Sequence, residues 1–260
     1  MADTPALAQA IAAAAAEAGQ MALARWRTEF RMWEKDEGSP VCEVDLDVDR
    51  MLRARLGALI PDAGWLSEET ADDPSRLACD RVWVVDPIDG TRDYIRGRRG
   101  WCVSVALVED GRPVVAVLDA PARRERWIAV AGAGASRNGV ALAAGSLGVL
   151  AGARVPADAL PKADRDFVLV EKPNSIALRI AMVAADEADL VATLRWGHEW
   201  DIAAAVLVAG EAGASVSDAL GGALGFNKPD PQAFGVLACA PGIHGAAVSR
   251  LAGRAAAALG

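Results

Sequence analysis

Two aspartates, a glycine and a threonine fall within six residues at Asp86-Pro87-Ile88-Asp89-Gly90-Thr91. Carboxylates this close repel one another, and burying them costs free energy unless a cation neutralises them. The preceding run, Val82 to Val85, is apolar and β-branched and reads as a buried strand, which puts the acids at a strand end. Pro87 cannot donate to a sheet ladder, so the strand is expected to stop there. Gly90-Thr91 then offers backbone N–H groups and a hydroxyl at the start of a helical turn, a seat for phosphate. The local chemistry is a hard-cation site beside an anion site. An ordinary Asp-Gly turn is the commoner meaning of the same letters, so other segments must decide.

Bulk composition narrows the choice. A chain of 260 residues can form one large domain or two compact halves, and 53% hydrophobic with 24% charged residues is a globular balance. A net charge of −8 without a basic tail disfavours binding to a nucleic-acid polymer. The apolar stretches are broken by Gln9, Glu17 or Glu211, so no membrane span is expected. The N-terminus lacks the pattern of a secretory signal, and the expected location is the cytoplasm. Cys42, Cys79, Cys102 and Cys239 are scattered, as reduced and mostly buried thiols would be. With only His198 and His244 for imidazole, a bound metal would need oxygen ligands, which suits Mg2+.

The elements that would position these residues follow in order. Thr4-Pro5 opens an Ala-rich helix expected to reach about Thr28. The polar stretch Glu34 to Pro40 reads as a loop or flexible ribbon. A second helix begins near Asp45 and ends at Pro61, then Gly64 to Ser67 forms a short strand delivering Glu68-Glu69. Strands are expected over Trp101–Val108 and Pro113–Asp119, joined by the Asp110-Gly111 turn, and over Arg126–Val130. Gly132 to Gly139 is rich in turn formers and marks the join between an N-terminal α+β half, 1–135, and a C-terminal half, 136–260. In the second half, strands at 167–170, 189–193, 215–217 and 234–239 alternate with helices at 176–185, 201–213 and from 243, an α/β pattern.

Polar residues beyond the needs of a core come from five segments: Lys35 with Ser39 to Asp45, Ser67-Glu68-Glu69, Asp86 to Thr91, Asn174-Ser175, and Glu199-Trp200-Asp201 before a helix of small residues. Together, in this order, they resemble the inositol monophosphatase family of magnesium-dependent, lithium-sensitive phosphatases. The chain is also similar to its 3′(2′),5′-bisphosphate nucleotidase branch. The Asp-Pro-Ile-Asp-Gly-Thr hexad is the most specific of these motifs, and the resemblance runs from about Lys35 to Pro241. It implies an α+β fold, a layered αβαβα sandwich of the fructose-1,6-bisphosphatase-like type, and a homodimer.

The resemblance also implies roles. Glu68, Asp86 and the carbonyl of Ile88 would hold one Mg2+. Asp86, Asp89 and Asp201 would hold a second, and Glu69 would belong to the surroundings of a third, weaker ion. Two such ions activate a water and stabilise the leaving oxygen of an in-line displacement. Glu68 and Thr91, the latter oriented by Asp45, would position the water, and the amides of Gly90 and Thr91 would hold phosphoryl oxygens. Asp89 and Asp201 would face the substrate, a small soluble phosphate ester, and submillimolar lithium would inhibit at the second site; from this chain's own residues, Arg195 and His198, close before Asp201, are further candidate substrate contacts.

Each segment also has a plainer meaning. Asp45 and Asp201 suit helix starts for capping and dipole reasons alone. Glu68-Glu69 fits a solvated turn, Asn174-Ser175 a helix cap, and His198 a surface or capping role. Arg92, Arg96, Arg98 and Arg99 fit a solvated loop as readily as an anion grip. Trp65, Trp83, Trp101 and Trp127 fit packing in or against the sheet.

Two departures from the family pattern stand out. Cys42 replaces the usual threonine of a Thr-x-x-Asp motif. Leu194 stands seven residues before Asp201, where many inositol monophosphatases carry a glutamate for inositol hydroxyls. With Arg195 following, the change favours a substrate with a second anionic group, so 3′-phosphoadenosine 5′-phosphate and histidinol phosphate stand beside inositol monophosphate. A non-catalytic phosphate-ligand-binding protein is the alternative of another class. A nucleotide-binding oxidoreductase is excluded because no Gly-x-Gly-x-x-Gly follows an early strand.

Overall fold

The computed structural model describes residues 4–35 and 39–259, with backbone alone at Lys35 and Ser39. The expected position of the Lys35 side chain, and the residues at 36–38, therefore lie outside the described part. Helix α1 (Thr4–Arg25) is followed by strands β1 (Met32–Lys35) and β2 (Ser39–Cys42), helix α2 (Glu43–Leu59) and strand β3 (Gly64–Ser67). Strand β4 (Arg81–Asp89) leads into the single helical turn α3 (Thr91–Ile95). Strands β5 (Cys102–Glu109), β6 (Arg112–Ala120), β7 (Glu125–Val130), β8 (Gly134–Arg137) and β9 (Val140–Ala141) follow as a meander. The remainder holds β10 (Arg154–Pro156), β11 (Val168–Val170), α4 (Ile176–Ala184), β12 (Leu190–His198), α5 (Glu199–Glu211), β13 (Ser215–Ser217), β14 (Gln232–Cys239) and α6 (His244–Leu259).

The buried side chains sort into layers. On one face of the seven-stranded sheet β3-β4-β5-β6-β7-β8-β9, Trp83, Val85, Val103, Val105 and Val117 pack against Ile11, Ala15, Leu52 and Leu56 of α1 and α2. On the other face, Val82, Val84, Ala106, Leu118 and Trp127 meet α4 and α5. Those two helices also touch Val236 and Ala238 of the three-stranded sheet β12-β14-β13. Behind that sheet, Leu237, Cys239 and Leu190 pack on Ala247 and Leu251 of α6. The result is an αβαβα sandwich of the α+β class. Among the described residues, no helix is long and apolar enough to cross a membrane.

Three local expectations change and a fourth, left open between two forms, is narrowed to one. Strand β4 does not stop at Pro87 but runs to Asp89, with a register shift against β5 between Asp86 and Asp89. Its parallel pairing with β3 ends at Val85, so Pro87 lies in a bulge where no ladder bond is required of it. At the stretch around Glu34 and Pro40, expected as a loop or flexible ribbon, the ribbon is found: two antiparallel strands in which Trp33 faces Val41 and Glu34 faces Pro40. Proline is tolerated because each strand of the ribbon keeps an open edge. The second half alternates helix and strand, yet β12, β14 and β13 pair antiparallel, and only the short pair β10 and β11 is parallel. Finally, Gly134–Arg137, within the turn-rich stretch, adds a strand to the large sheet against β7.

Candidate active site

The bulge at the end of β4 turns both aspartates into one cleft. Asp86 is buried, and its Oδ1 accepts from the Ile88 amide at 3.0 Å. Asp89, also buried, is gripped by the start of α4. Its Oδ2 accepts from Ser175 Oγ at 2.5 Å and from the Ala177 amide at 2.7 Å. Ser175 is at the same time the N-cap of α4, accepting from the Leu178 amide at 2.9 Å. Gly90 follows with φ +95°, and a Cβ there would stand 2.6 Å from the Gly100 carbonyl oxygen and 2.9 Å from the Ser175 nitrogen. Only glycine fits such a turn without displacing backbone. The Gly90 carbonyl closes it by accepting from the amides of Asp93 and Tyr94.

Two further elements bring acids into the same cleft, and a third places one beside it. Glu68 follows β3, and its amide donates to the Val85 carbonyl, tying it beside Asp86. Asp201 occupies the third position of α5, where its Oδ2 accepts from the His198 amide at 2.9 Å. Asp45 occupies the equivalent position of α2 and accepts from the Cys42 amide at 2.8 Å. Both acids thus cap their helices and still face the cleft side: Asp45 Oδ1 is 3.4 Å from Thr91 Oγ1. The Thr91 hydroxyl lies closer to the Ile88 carbonyl, at 3.0 Å. Cys42 is buried, and burial together with Asp45 keeps its thiol protonated by raising its pKa.

The cleft has a volume of about 500 Å³, and its walls include Glu68, Asp86, Ile88, Asp89, Gly90, Thr91 and Asp201. Its electrostatics are those of crowded acids. Burial pushes Asp86 well up, helped by the charges of Glu68, Asp89, Asp201 and Asp45. Burial and then Asp201 push Asp89 up to about 7, against the lowering effect of the Ser175 and Ala177 hydrogen bonds. Burial pushes Asp201 up to about 6, opposed by the His198 amide and Arg195. Among the described residues no three His, Cys, Asp or Glu side chains stand close enough to enclose an ion as they are. The acids share a cleft rather than a closed shell, as mutual repulsion dictates, and a hard divalent cation is the chemical partner that reverses it.

The same cleft also carries cations. Arg92, Lys172, Arg179 and Arg195 line it, whereas Arg96, Arg98 and Arg99 are exposed outside it, Arg98 lying 3.9 Å from Asp93. His198 stacks flat on Trp200, with centroids 4.3 Å apart, in an adjoining cleft that also reaches Glu68 and Asp201. Trp83, Trp101 and Trp127 are fully buried and Trp65 is half-buried.

Two residues were missed by reading the sequence. Asp49, buried on α2, accepts from Ser67 Oγ at 2.5 Å and Thr70 Oγ1 at 2.6 Å, bracing the segment that carries Glu68 and Glu69. Its signal was an acid next to Val48 on the inward face of a helix. Arg179 projects from an otherwise apolar helix and donates to the carbonyls of Asn174 and Ser175. A lone cation in Ile176–Ala184 was the clue.

This arrangement has known counterparts. The sequence model of the inositol monophosphatase family matches residues 3–257. The chain belongs to the inositol monophosphatase family. It is therefore a phosphatase, a hydrolase of phosphoric monoesters. A protein of Streptomyces griseus named glucose-1-phosphate thymidylyltransferase is 37% identical over 205 residues, covering 72% of this chain and 76% of its own. An inositol monophosphatase of Dictyostelium discoideum is 33% identical over 244 residues, covering 87% and 88%. The solved structure of the Thermotoga maritima IMPase superposes with a TM-score of 0.83 at 26% identity, over 96% of this chain and 97% of that one.

Proposed function

We propose that this family member is a Mg2+-dependent phosphomonoesterase acting on a small soluble ester. The carrying observation is the convergence of Glu68, Asp86, Asp89 and Asp201 on one cleft, where burial pushes Asp86, Asp89 and Asp201 up and neighbouring acids add to it at Asp86 and Asp89. Glu68, Asp86 and the Ile88 carbonyl would hold one ion, and Asp86, Asp89 and Asp201 a second, with Glu69 beside a third. Bound there, Mg2+ supplies a Lewis acid for the phosphoryl and leaving oxygens and lowers the pKa of water.

The chain's own groups do the rest. Gly90 and Thr91 present backbone N–H groups to the phosphoryl oxygens from the first turn of α3. Glu68 and the Thr91 hydroxyl, which Asp45 helps to orient, hold the attacking water in line. In the reaction a water oxygen bonds to phosphorus and releases one proton to solvent, the P–O ester bond breaks, and the leaving alkoxide takes a proton from solvent to depart as the alcohol. Ser175 and the start of α4 fix the Asp89 rotamer, so the site need not reorganise when charge develops.

Arg179 and Arg195, lining the same cleft as the acids, favour an ester with a second anionic group, and His198 lines the adjoining cleft that also reaches Asp201. Leu194 in place of a hydroxyl-binding acid supports the same preference. Inositol monophosphate remains the reference substrate, with 3′-phosphoadenosine 5′-phosphate and histidinol phosphate as alternatives. Nucleotidyl transfer, the activity in the name of the Streptomyces relative, has less support than the family match across nearly the whole chain. A cytoplasmic homodimer sensitive to submillimolar lithium completes the reading.

The test is kinetic. Phosphate release from inositol 1-phosphate, 3′-phosphoadenosine 5′-phosphate and histidinol phosphate is measured with and without Mg2+ for wild type and Asp89→Asn. Mg2+-dependent turnover of at least one ester, lost in Asp89→Asn, is expected. Turnover without added metal in chelator-treated protein would overturn the proposal.

A further inference from the structure

Behind the cleft lies a polar assembly that phosphate chemistry does not touch. Arg76, on the short helix Pro74–Ala78, is only 1% exposed, and Glu199, the first residue of α5, is 0% exposed. Full burial of an arginine and a glutamate is costly, so each must be satisfied by well-placed partners. Arg76 makes a two-point contact with Asp72, Nε to Oδ1 at 2.6 Å and NH2 to Oδ2 at 2.9 Å. It then reaches across to the segment before β14, donating to Asn227 Oδ1 at 2.6 Å and to the Lys228 carbonyl at 2.9 Å. Glu199 grips the same two residues from the other side, accepting from the amides of Asn227 at 2.5 Å and Lys228 at 3.1 Å.

The 227–228 turn is thus clasped between an arginine that follows the Glu68 segment and a glutamate that begins the Asp201 helix. Asn227 takes a left-handed φ of 57°, with its side-chain oxygen on Arg76 and its amide on Glu199. The same loop is pinned elsewhere: the Phe226 amide donates to the Gly111 carbonyl at the β5–β6 turn, and the Glu199 amide donates to the Pro231 carbonyl. Arg76 is itself seated on β3, where a Cβ at Gly64 would come within 2.8 Å of the arginine Cβ.

Glu199 and Asp201 are two residues apart on a helix, about 200° around its axis, so they project to nearly opposite sides. The clasp holds the back of the helical turn whose front carries Asp201. We infer that Arg76 and Glu199 are positioning residues that set the distance between Glu68 and Asp201 and so tune affinity for Mg2+, an inference that rests on the metal reading above. Neither touches substrate. An amide in place of the Glu199 carboxylate would confront two N–H donors with a third, and lysine in place of Arg76 cannot span Asp72, Asn227 and Lys228 at once.

The experiment is calorimetric Mg2+ binding to wild type, Glu199→Gln and Arg76→Lys, alongside steady-state kinetics at limiting and saturating Mg2+. Arg55→Ala, which breaks an exposed ion pair with Glu17, is the control for charge change and mild destabilisation. Circular dichroism establishes that each variant is folded. Weakening of Mg2+ binding by roughly tenfold is expected for both clasp variants, in the range that outer supports of metal ligands contribute. At saturating Mg2+, kcat and the ester KM should return to near wild-type values, a rescue that general loss of structure would not allow.

Unchanged Mg2+ affinity in folded clasp variants would overturn the inference while leaving the metal reading intact. A kcat loss that Mg2+ does not restore would overturn it as well. If wild type itself binds no Mg2+ while Asp89→Asn behaves identically, the metal reading fails first and the inference with it.

Discussion

Ser175 Oγ donates to Asp89 Oδ2 at 2.5 Å across a sequence separation of 86 residues, and the same hydroxyl oxygen caps α4. One side chain therefore secures a helix start and fixes a proposed metal ligand on a different element. Its role combines local stability with orientation of an acid.

Ser175→Ala should lower stability by about 1–2 kcal/mol, the usual consequence of losing an N-cap. Asp89 would keep the Ala177 amide but lose its hydroxyl partner, so the Mg2+ concentration for half-maximal activity should rise. Denaturant unfolding and a Mg2+ titration of activity measure the two effects. A variant that loses stability while its Mg2+ dependence stays at the wild-type value would show that the hydroxyl serves the helix alone.

Gly90→Ala is expected to be far more damaging than its size suggests. The residue adopts φ +95°, and the added methyl would meet the Gly100 oxygen at 2.6 Å and the Ser175 nitrogen at 2.9 Å. Forcing alanine into that conformation costs more than about 1 kcal/mol before any collision is relieved. The turn carrying the Gly90 and Thr91 amides would shift, and kcat should fall by at least about 100-fold, as when one preorganised oxyanion donor is lost. Near wild-type kcat would mean that these amides do not hold the phosphoryl group.

Arg179→Met tests the cations of the cleft. It removes a charge that faces the cleft and keeps most of the side-chain volume. For an ester with two anionic groups KM should rise about tenfold or more, about 1.4 kcal/mol, within the range of hydrogen bonds to charged groups. An ester bearing the scissile phosphate alone should change less. Equal effects on both ester types would count against recognition of a second anion.

The metal-free protein should lose stability as pH rises. Asp89 and Asp201 are pushed up to about 7 and about 6 in the folded protein, against about 3.9 for an unfolded aspartate. Below about pH 4 both states are protonated and these acids impose no penalty. Between there and pH 7 the unfolded chain releases protons that the folded chain retains, so their contribution to stability is progressively lost and then levels off. Melting temperature in chelator should therefore fall from pH 5 to pH 7.5, and Mg2+ should raise it more at pH 7.5 than at pH 5. Asp189, held low by Arg154, acts in the opposite sense, losing its contribution only as pH falls into the acid range. A chelated protein with a flat profile between pH 5 and 7.5 would show that burial and neighbouring charge do not raise Asp89 and Asp201 in solution.

Much of this site could be read from the chain because its central acids are local. Asp86 to Thr91 needs only a strand, a bulge and a turn to form, all within one short segment. The bulge itself was hidden, since a proline inside a strand is normally evidence for its end, and only the shorter neighbouring strand makes it tolerable. The sequence leaves loop and ribbon open around Glu34 and Pro40 because the polar residues lack the alternation of a half-buried strand, and the pairing of Met32–Lys35 with Ser39–Cys42 decides for the ribbon. Glu199 carries no role in the sequence beyond standing before a helix of small residues, and its partners, Asn227 and Lys228, are remote in sequence. Hydrophobic periodicity reports which face of an element is covered, and it carries no record of a hydrogen bond spanning 28 residues. For the same reason Asp49 and Arg179 became visible only when their partners were in place.

Helix α5 lies between two sheets, with Ala203, Ala204, Ala205 and Ala209 buried among side chains from both. Small residues allow both sheets to approach one helix, and they make that helix a party wall rather than the property of either side. A chimera assembled from two relatives by cutting the gene beside α5 would present this helix to one native sheet and one foreign sheet. The productive crossover points in such a library should therefore leave α5, both facing sheets and the residues that clasp its first turn on the same parental segment.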